Sequence, residues 1–400
     1  MKIRLRHFLI NVIYILIYIS AFSQLRYQLT LQRGWHQLFL ISLYGIILID
    51  IFYMMMSIQY IFKYASGIVA FLLLFIAYEI LVSIFTNMIY PGAMVRDIFP
   101  WPLTFIVIYL HVRRYGIPAS YKAITTAGLL ICCVLSVPNI SRHLVDYGRR
   151  GGVIFPLYYC ISFLGTALRL CDKKTRYILM LIVSALLIVS TKRAGTAIVI
   201  SGIVLYFLSD THIQGSGKAK ANRIITYSIL VFAATYFGYA MINRYEISIL
   251  ERFSRVLDDG GSNRKYIWQD VMEHYHQSPV LNKIFGHGFH AVYYKVQPYG
   301  YPRMAHNSYM ETLYDYGIVG LMFVVLFSMY LMLNTLKMYI RKSPNLPAMM
   351  YSMAELLILG VFSYLFEESI IIMACIVNWA ICIGDEHRML MMNSVYRRLN

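Results

Sequence analysis

Apolar runs, most of them about 15 to 25 residues long, recur from end to end of this chain with short polar breaks between them. That is the length an α-helix needs to cross the hydrocarbon core of a bilayer. A water-soluble core has no room for so many, and with 59% of 400 residues hydrophobic and only 14% charged the composition agrees. The runs predict spans near 8–24, 38–59, 64–86, 98–112, 123–138, 153–170, 177–190, 194–209, 223–241, 316–336, 349–366 and 369–384. The expected fold class is an all-α integral membrane protein with about twelve transmembrane helices.

A net charge of +17 is not read as a nucleic-acid surface, because Lys and Arg fall in short clusters between the apolar runs. With both termini on the cytoplasmic side, every inside segment is basic, for example Arg113 with Arg114, Lys173 with Lys174, and Arg341 with Lys342. The opposite side has few cations in its short loops, the exceptions being Arg26, Arg33, Arg96, the group Arg142, Arg149 and Arg150, and the pair Lys192 and Arg193. Ala21-Phe22-Ser23 has the small-x-small look of a signal-peptidase site, but removing the first span would break this charge pattern, so an uncleaved span is expected. The six cysteines lie in or beside apolar segments and indicate neither a disulfide framework nor a zinc site.

One polar stretch stands apart. Residues 242–315, between the ninth and tenth spans, carry eight cations and eight anions and five of the eleven histidines. The expected organisation is therefore spans 1–9 over residues 1–241, an outward-facing catalytic loop over 242–315, and spans 10–12 with a cytoplasmic tail over 316–400. Within the loop, Glu246 to Leu257 reads as a short amphipathic helix and Asp258-Asp259-Gly260-Gly261 breaks the chain. Ser262 or Asn263 caps a second helix carrying Ile267, Trp268, Val271 and Tyr275 until Pro279 stops it. His306-Asn307-Ser308 then leads into a helix that continues as the tenth span.

Several residues invite chemistry, each with a plainer alternative. His274 and His276 are two apart and point to different helix faces, a poor metal pair. His287 and His290 flank a glycine turn, where histidines are more often solvated than ligating. His306 precedes a helix start whose exposed N–H groups favour an anion, and Asn307 and Glu311 share a face one turn apart; the alternative is an ordinary helix cap. Lys192 and Arg193 interrupt two apolar runs with almost no loop between them, either snorkelling to headgroups or clamping a phosphate. Arg264 offers a second phosphate contact or pairs with Asp258 or Asp259. Asp50, Glu79 and Glu355 lie inside spans and read as structurally paired carboxylates, whereas Glu367 and Glu368 mark the turn between the last two spans.

Taken together, Ser262-Asn263-Arg264, Trp268, Ser278-Pro279, Gly286-His287-Gly288, His306-Asn307, Glu311, Gly317 and Gly320, with Ser190-Thr191-Lys192-Arg193-Ala194-Gly195 upstream, resemble the signature region of the O-antigen ligase and polymerase superfamily. The resemblance is specific over roughly residues 185 to 325. It implies a GT-C-like membrane glycosyltransferase of the bacterial inner membrane, acting at its outer face on saccharides linked to undecaprenyl diphosphate. Such enzymes are inverting and need no metal or other cofactor. By resemblance, Arg193 and Arg264, with Lys192 beside them, hold the donor diphosphate. His306 takes the acceptor's proton, and Asn307, Glu311 and Trp268 support it. The expected partners are the lipid-linked oligosaccharide, membrane lipid and a chain-length regulator. A polymerase of surface polysaccharide is favoured over a ligase transferring to lipid A-core; a transporter of the same lipid-linked sugars is the competing class, disfavoured because no half-to-half repeat is visible.

Overall fold

In a computed structural model of the chain, the residues described are 2–145, 157–190, 193–214, 264–300, 303–363, 365–366 and 368–399. Among them there is no β-strand. Many positions are β-branched, yet helices form because inside lipid only a helix satisfies every backbone N–H and C=O within its own segment.

In chain order the helices are α1 (Lys2–Thr30), α2 (Arg33–Met56), α3 (Ile58–Tyr64), α4 (Ser66–Phe85), α5 (Pro91–Ile98), α6 (Pro100–Tyr115), α7 (Ser120–Val145) and α8 (Leu157–Leu170). There follow α9 (Lys173–Ser190), α10 (Arg193–Gln214), α11 (Arg264–Gln277), α12 (Val280–Phe285), α13 (Ser308–Ile340), α14 (Leu346–Phe362) and α15 (Ser369–Leu399). Eight helical segments among the described residues are long and apolar enough to cross a membrane, and Leu157–Leu170 and Leu346–Phe362 are shorter apolar helices. The expected ninth span and the helix expected over Glu246 to Leu257 lie outside the described residues. The expected fourth span is longer than its sequence suggests and is broken in two at Phe99, where Pro100 starts α6 at a position that lacks a helical N–H partner in any case.

α15 occupies the centre. The most apolar stretch of Ser369–Asn393 is buried throughout, and α15 packs along α6 and α8 while α14 runs beside α10. Trp379 and Phe327 meet there with ring centroids 6.1 Å apart. Around this core, side chains such as Leu74, Phe85 and Ile340 expose apolar surface outward, the pattern of a bundle solvated by lipid.

The two ends of the bundle differ. At one end the cation-rich segments meet: Arg6 bonds the Tyr115 hydroxyl at 2.6 Å, Arg169 pairs with Asp385 at 2.8 Å, and Lys122 pairs with Asp172 at 2.8 Å. His212 of α10 stacks on Tyr339 of α13 at 4.1 Å near the same end. α10 and α13 therefore both run from the other end, where the described residues of the polar segment, 264–300 and 303–307, also lie against the bundle.

That polar segment docks by close backbone approach. α13 is two rods joined at Gly317, whose φ of 65° and ψ of −170° break the helix. A Cβ on Gly317 would sit 2.3 Å from the Ile284 carbonyl oxygen, and one on Gly286 would sit 2.3 Å from that of Asp315. Tyr78 of α4 clasps the joint, donating to the carbonyls of Tyr316 at 2.7 Å and Phe285 at 3.0 Å.

Candidate active site

Asn307 is the N-cap of α13. Its backbone is extended, with φ −154°, and its Oδ1 accepts from the amides of Tyr309 and Met310, each at 3.1 Å. The ordinary cap is thus present, and it takes two of the N–H groups that would otherwise face an anion. Glu311, in the first turn, reaches back and accepts from the Ala305 amide at 2.7 Å. Ser308 is fully buried, and its Oγ accepts from the amides of Leu365 at 2.6 Å and Phe366 at 3.4 Å, pinning this helix start to the turn between α14 and α15.

His306 lies between these anchors, partly exposed, with its backbone in the left-handed region at φ 55°. For a residue with a Cβ that conformation is costly, and it persists only where neighbours on both sides fix it. Here the neighbours are the Asn307 cap on one side and Ala305 on the other, with the Ala305 amide held by Glu311 and its carbonyl held by Trp268 Nε1 at 2.9 Å.

Trp268 in turn brings Arg264. The two are four apart on α11 and share a face, so the indole that bonds Ala305 stands one turn from the guanidinium at the start of that helix. Arg264 is within electrostatic reach of the Tyr158 hydroxyl at the start of α8. Arg264, Trp268, His306, Asn307 and Glu311 are therefore brought to one corner. Lys192 lies outside the described residues, as do Asp258, Asp259, Ser262 and Asn263. Arg193 is the first residue of α10, at the end of the bundle where α13 also begins.

A second polar group adjoins this corner that no short motif signals. Arg96 grips Asp97 through Nε at 2.6 Å and Nη2 at 2.5 Å, and Ser369 Oγ lies 2.8 Å from the same carboxylate. His290 Nε2 stands 3.9 Å from Asp97, and Tyr159 donates to Glu368 at 3.0 Å. Burial drives the Glu368 carboxyl up to about 7; the Tyr159 hydrogen bond pulls it down, Asp97 pushes it up and Arg96 pulls it down. Asp97, His290 and Asp315 line a cavity of about 30 Å³ walled by Trp101 and Phe366, room for about one water. Among the described residues no three His, Cys, Asp or Glu side chains converge as a metal site would require.

The flanking histidines correct the expectation of solvated turn residues. His287 stacks on Tyr314 at 4.4 Å and His290 on Phe289 at 3.9 Å. Ser278 Oγ donates to the His274 carbonyl, so His287 Nε2, 2.8 Å away, is the donor to Ser278. A neutral ring of that tautomer accepts at Nδ1 from Asn282, 3.4 Å away. Burial first, and then Lys295, pull the His287 imidazole down to about 4. Burial and Arg96 pull His290 down to about 4 as well, against the opposing effect of Asp97. Two of the three intramembrane carboxylates are held by hydroxyls: Thr104 donates to Asp50 at 2.7 Å and Ser352 to Glu355 at 3.2 Å.

Residues 178–325 match the family model described as O-antigen ligase. Over that segment the chain is similar to the O-antigen ligase and polymerase superfamily. The ligase-family segment begins in α9, includes the α9–α10 junction with Arg193 and the whole of the described polar segment, and ends about two turns past the Gly317 break in α13. It therefore contains Arg193, Arg264, Trp268, His306, Asn307 and Glu311, whereas Arg96, Asp97 and Glu368 fall outside it. A search of curated proteins finds no match to the chain.

Proposed function

We propose that this protein is a membrane glycosyltransferase that polymerises surface polysaccharide, joining oligosaccharide repeat units carried on undecaprenyl diphosphate at the outer face of the bacterial inner membrane. The observation that carries the reading is the Trp268–Ala305 hydrogen bond. Within the ligase-family segment it fixes the helix face of Arg264 beside the backbone of His306.

The chemistry follows from those groups. A hydroxyl of the acceptor sugar forms a bond to the anomeric carbon of the donor as the bond from that carbon to the diphosphate oxygen breaks, with inversion. The departing diphosphate carries the developing charge, and guanidinium groups in a water-poor site stabilise it by bidentate hydrogen bonds. Arg264 and Arg193 take that role, with Lys192 next to Arg193. The hydroxyl proton passes to His306, imidazole being the side-chain type best suited to general-base work near neutral pH. Asn307, Glu311 and Trp268 hold the imidazole's backbone in place. The outward orientation of this end rests on the basic character of every short loop at the opposite end.

The test is reconstitution in lipid nanodiscs with a polyprenyl-diphosphate oligosaccharide. Wild type is expected to form glycosidic bonds, and His306→Ala and Arg264→Ala to lose at least about a hundredfold in rate while the protein still inserts and melts normally. Undiminished transfer by both variants overturns the assignment.

The family description itself, which names a ligase, favours a second reading in which the acceptor is lipid A-core. Deleting the gene separates the two: loss of a polymerase leaves single repeat units on the acceptor, and loss of a ligase leaves none.

A further inference from the structure

Three tyrosines beyond the His306 corner are packed together in a way that burial does not explain. Tyr90, in the turn before α5, and Tyr294, in the π-helical turn Val292–Val296, stack with ring centroids 4.4 Å apart and an interplanar angle of 14°. Tyr293 stands edge-on to Tyr294 at 5.0 Å and 81°. Tyr90 and Tyr294 are each 37% exposed, so the stack leaves ring surface at the outside of the protein. An interfacial aromatic belt sets tyrosines singly at headgroup depth and asks for no mutual stacking between distant segments.

The edge of this platform is charged. Arg96 and Asp97, on the helix that starts beside Tyr90, act electrostatically on the Tyr294 hydroxyl. Arg96 uses Nε and Nη2 on Asp97, which leaves further N–H bonds of its fork, and its side chain is 30% exposed. A pyranose ring presents two kinds of surface, a C–H face and a rim of hydroxyls. The C–H face suits an aromatic ring, and the hydroxyls suit a guanidinium or a phenol.

The platform is also preformed. His290 and Gln297, one on each side of the tyrosines, hold left-handed backbone at φ 51° and 45°, and Val292 and Val296 are buried beneath them. Those valines share an apolar cluster with Met88, Ala305 and Tyr314, so the platform and His306 stand on one foundation.

We propose that Tyr90, Tyr293 and Tyr294, with Arg96 at their edge, form a saccharide-binding subsite for sugar units other than the one that reacts. The sugar belongs either to the donor's lipid-linked glycan or to the acceptor; both present the same C–H faces and hydroxyls. The assignment to a transfer reaction rests on the glycosyltransferase reading, whereas saccharide binding itself does not.

Two measurements on the full chain in nanodiscs test it. The first is saturation-transfer NMR with the repeat-unit oligosaccharide released by mild acid from the producing cell's lipid-linked pool. Wild type and Tyr294→Phe are expected to show contacts that Tyr294→Ala loses. The second is transfer kinetics with each substrate varied in turn. In Tyr294→Ala, KM is expected to rise about tenfold, the worth of one aromatic stacking contact, with the effect on KM rather than kcat. The substrate whose KM rises names the source of the sugar. Tyr90→Ala, which leaves the Tyr294 ring in place, repeats both measurements if Tyr294→Ala fails to fold. No saccharide contact in wild type overturns the subsite, as does an alanine variant that keeps both contacts and KM. If wild type forms no glycosidic bond the transferase reading fails, and the NMR result decides the subsite alone.

Discussion

Glu368 shows what a single carboxyl does when the turn that carries it is closed over. Its pKa is raised from the ordinary 4.5 to about 7, burial being the largest cause. A raised carboxyl pKa means that the folded state holds a proton the unfolded chain has released. The associated stability is full below about pH 4.5 and is lost as the pH rises through about 7. Glu368→Gln keeps an acceptor for the Tyr159 hydroxyl and removes the titration. Relative to wild type, its Tm is expected to be unchanged near pH 4.5 and about 2 °C higher near pH 8, in melts of the purified protein. A Tm difference that does not vary with pH overturns this account. Glu368 was legible in the sequence only as a marker of the membrane interface, because the residues that surround it come from distant elements. Tyr159 lies in α8 and Arg96 and Asp97 in α5. The same holds for His287 and His290: a glycine turn looks solvated until Tyr314 and Phe289 are seen to cover the rings. His306, Asn307 and Glu311 were readable because cap, carboxylate and helix start are local to one another.

At the scale of elements, the polar segment is held to α13 by backbone meeting backbone at two glycines. Gly317→Ala would set a methyl 2.3 Å from the Ile284 carbonyl oxygen at a φ of 65°. A carbonyl on the facing chain cannot rotate aside as a side chain can, so a loss of about 3 kcal/mol or more is expected. Gly300→Ala is the control: its φ of 70° is just as unusual, but among the described residues nothing stands within 4 Å of the added carbon. It should cost only about 1 kcal/mol. Melting temperatures of the two variants check the contrast, and equal losses would mean that the docking contact contributes nothing. Helix limits set by local chemistry were legible, such as the end of α11 just before Ser278-Pro279 and the run of α13 from the polar segment into a span. The break at Phe99 was not, because an apolar run containing prolines looks continuous to a hydropathy window.

For the whole molecule, the basic short loops at one end predict which end faces the cell interior. The six native cysteines are all buried, so an introduced thiol is read against a silent background. His274 and Lys174 are exposed positions toward opposite ends. In spheroplasts, a membrane-impermeant maleimide is expected to label His274→Cys directly and Lys174→Cys only after permeabilisation; the reverse result inverts the topology. The fold class was legible because lipid imposes one rule on every span. What hydropathy does not record is which spans lipid touches. α15 is as greasy as the rest, yet its most apolar stretch is enclosed on every side by protein. In the order of synthesis it follows each of the helices that surround it. Those helices must leave a berth open, or part again to admit the newcomer. Once seated, it is moulded to fixed neighbours rather than to fluid chains. A single added methylene there should be felt as in the tightest soluble interior, while the same change on an outward face of α4 passes unnoticed.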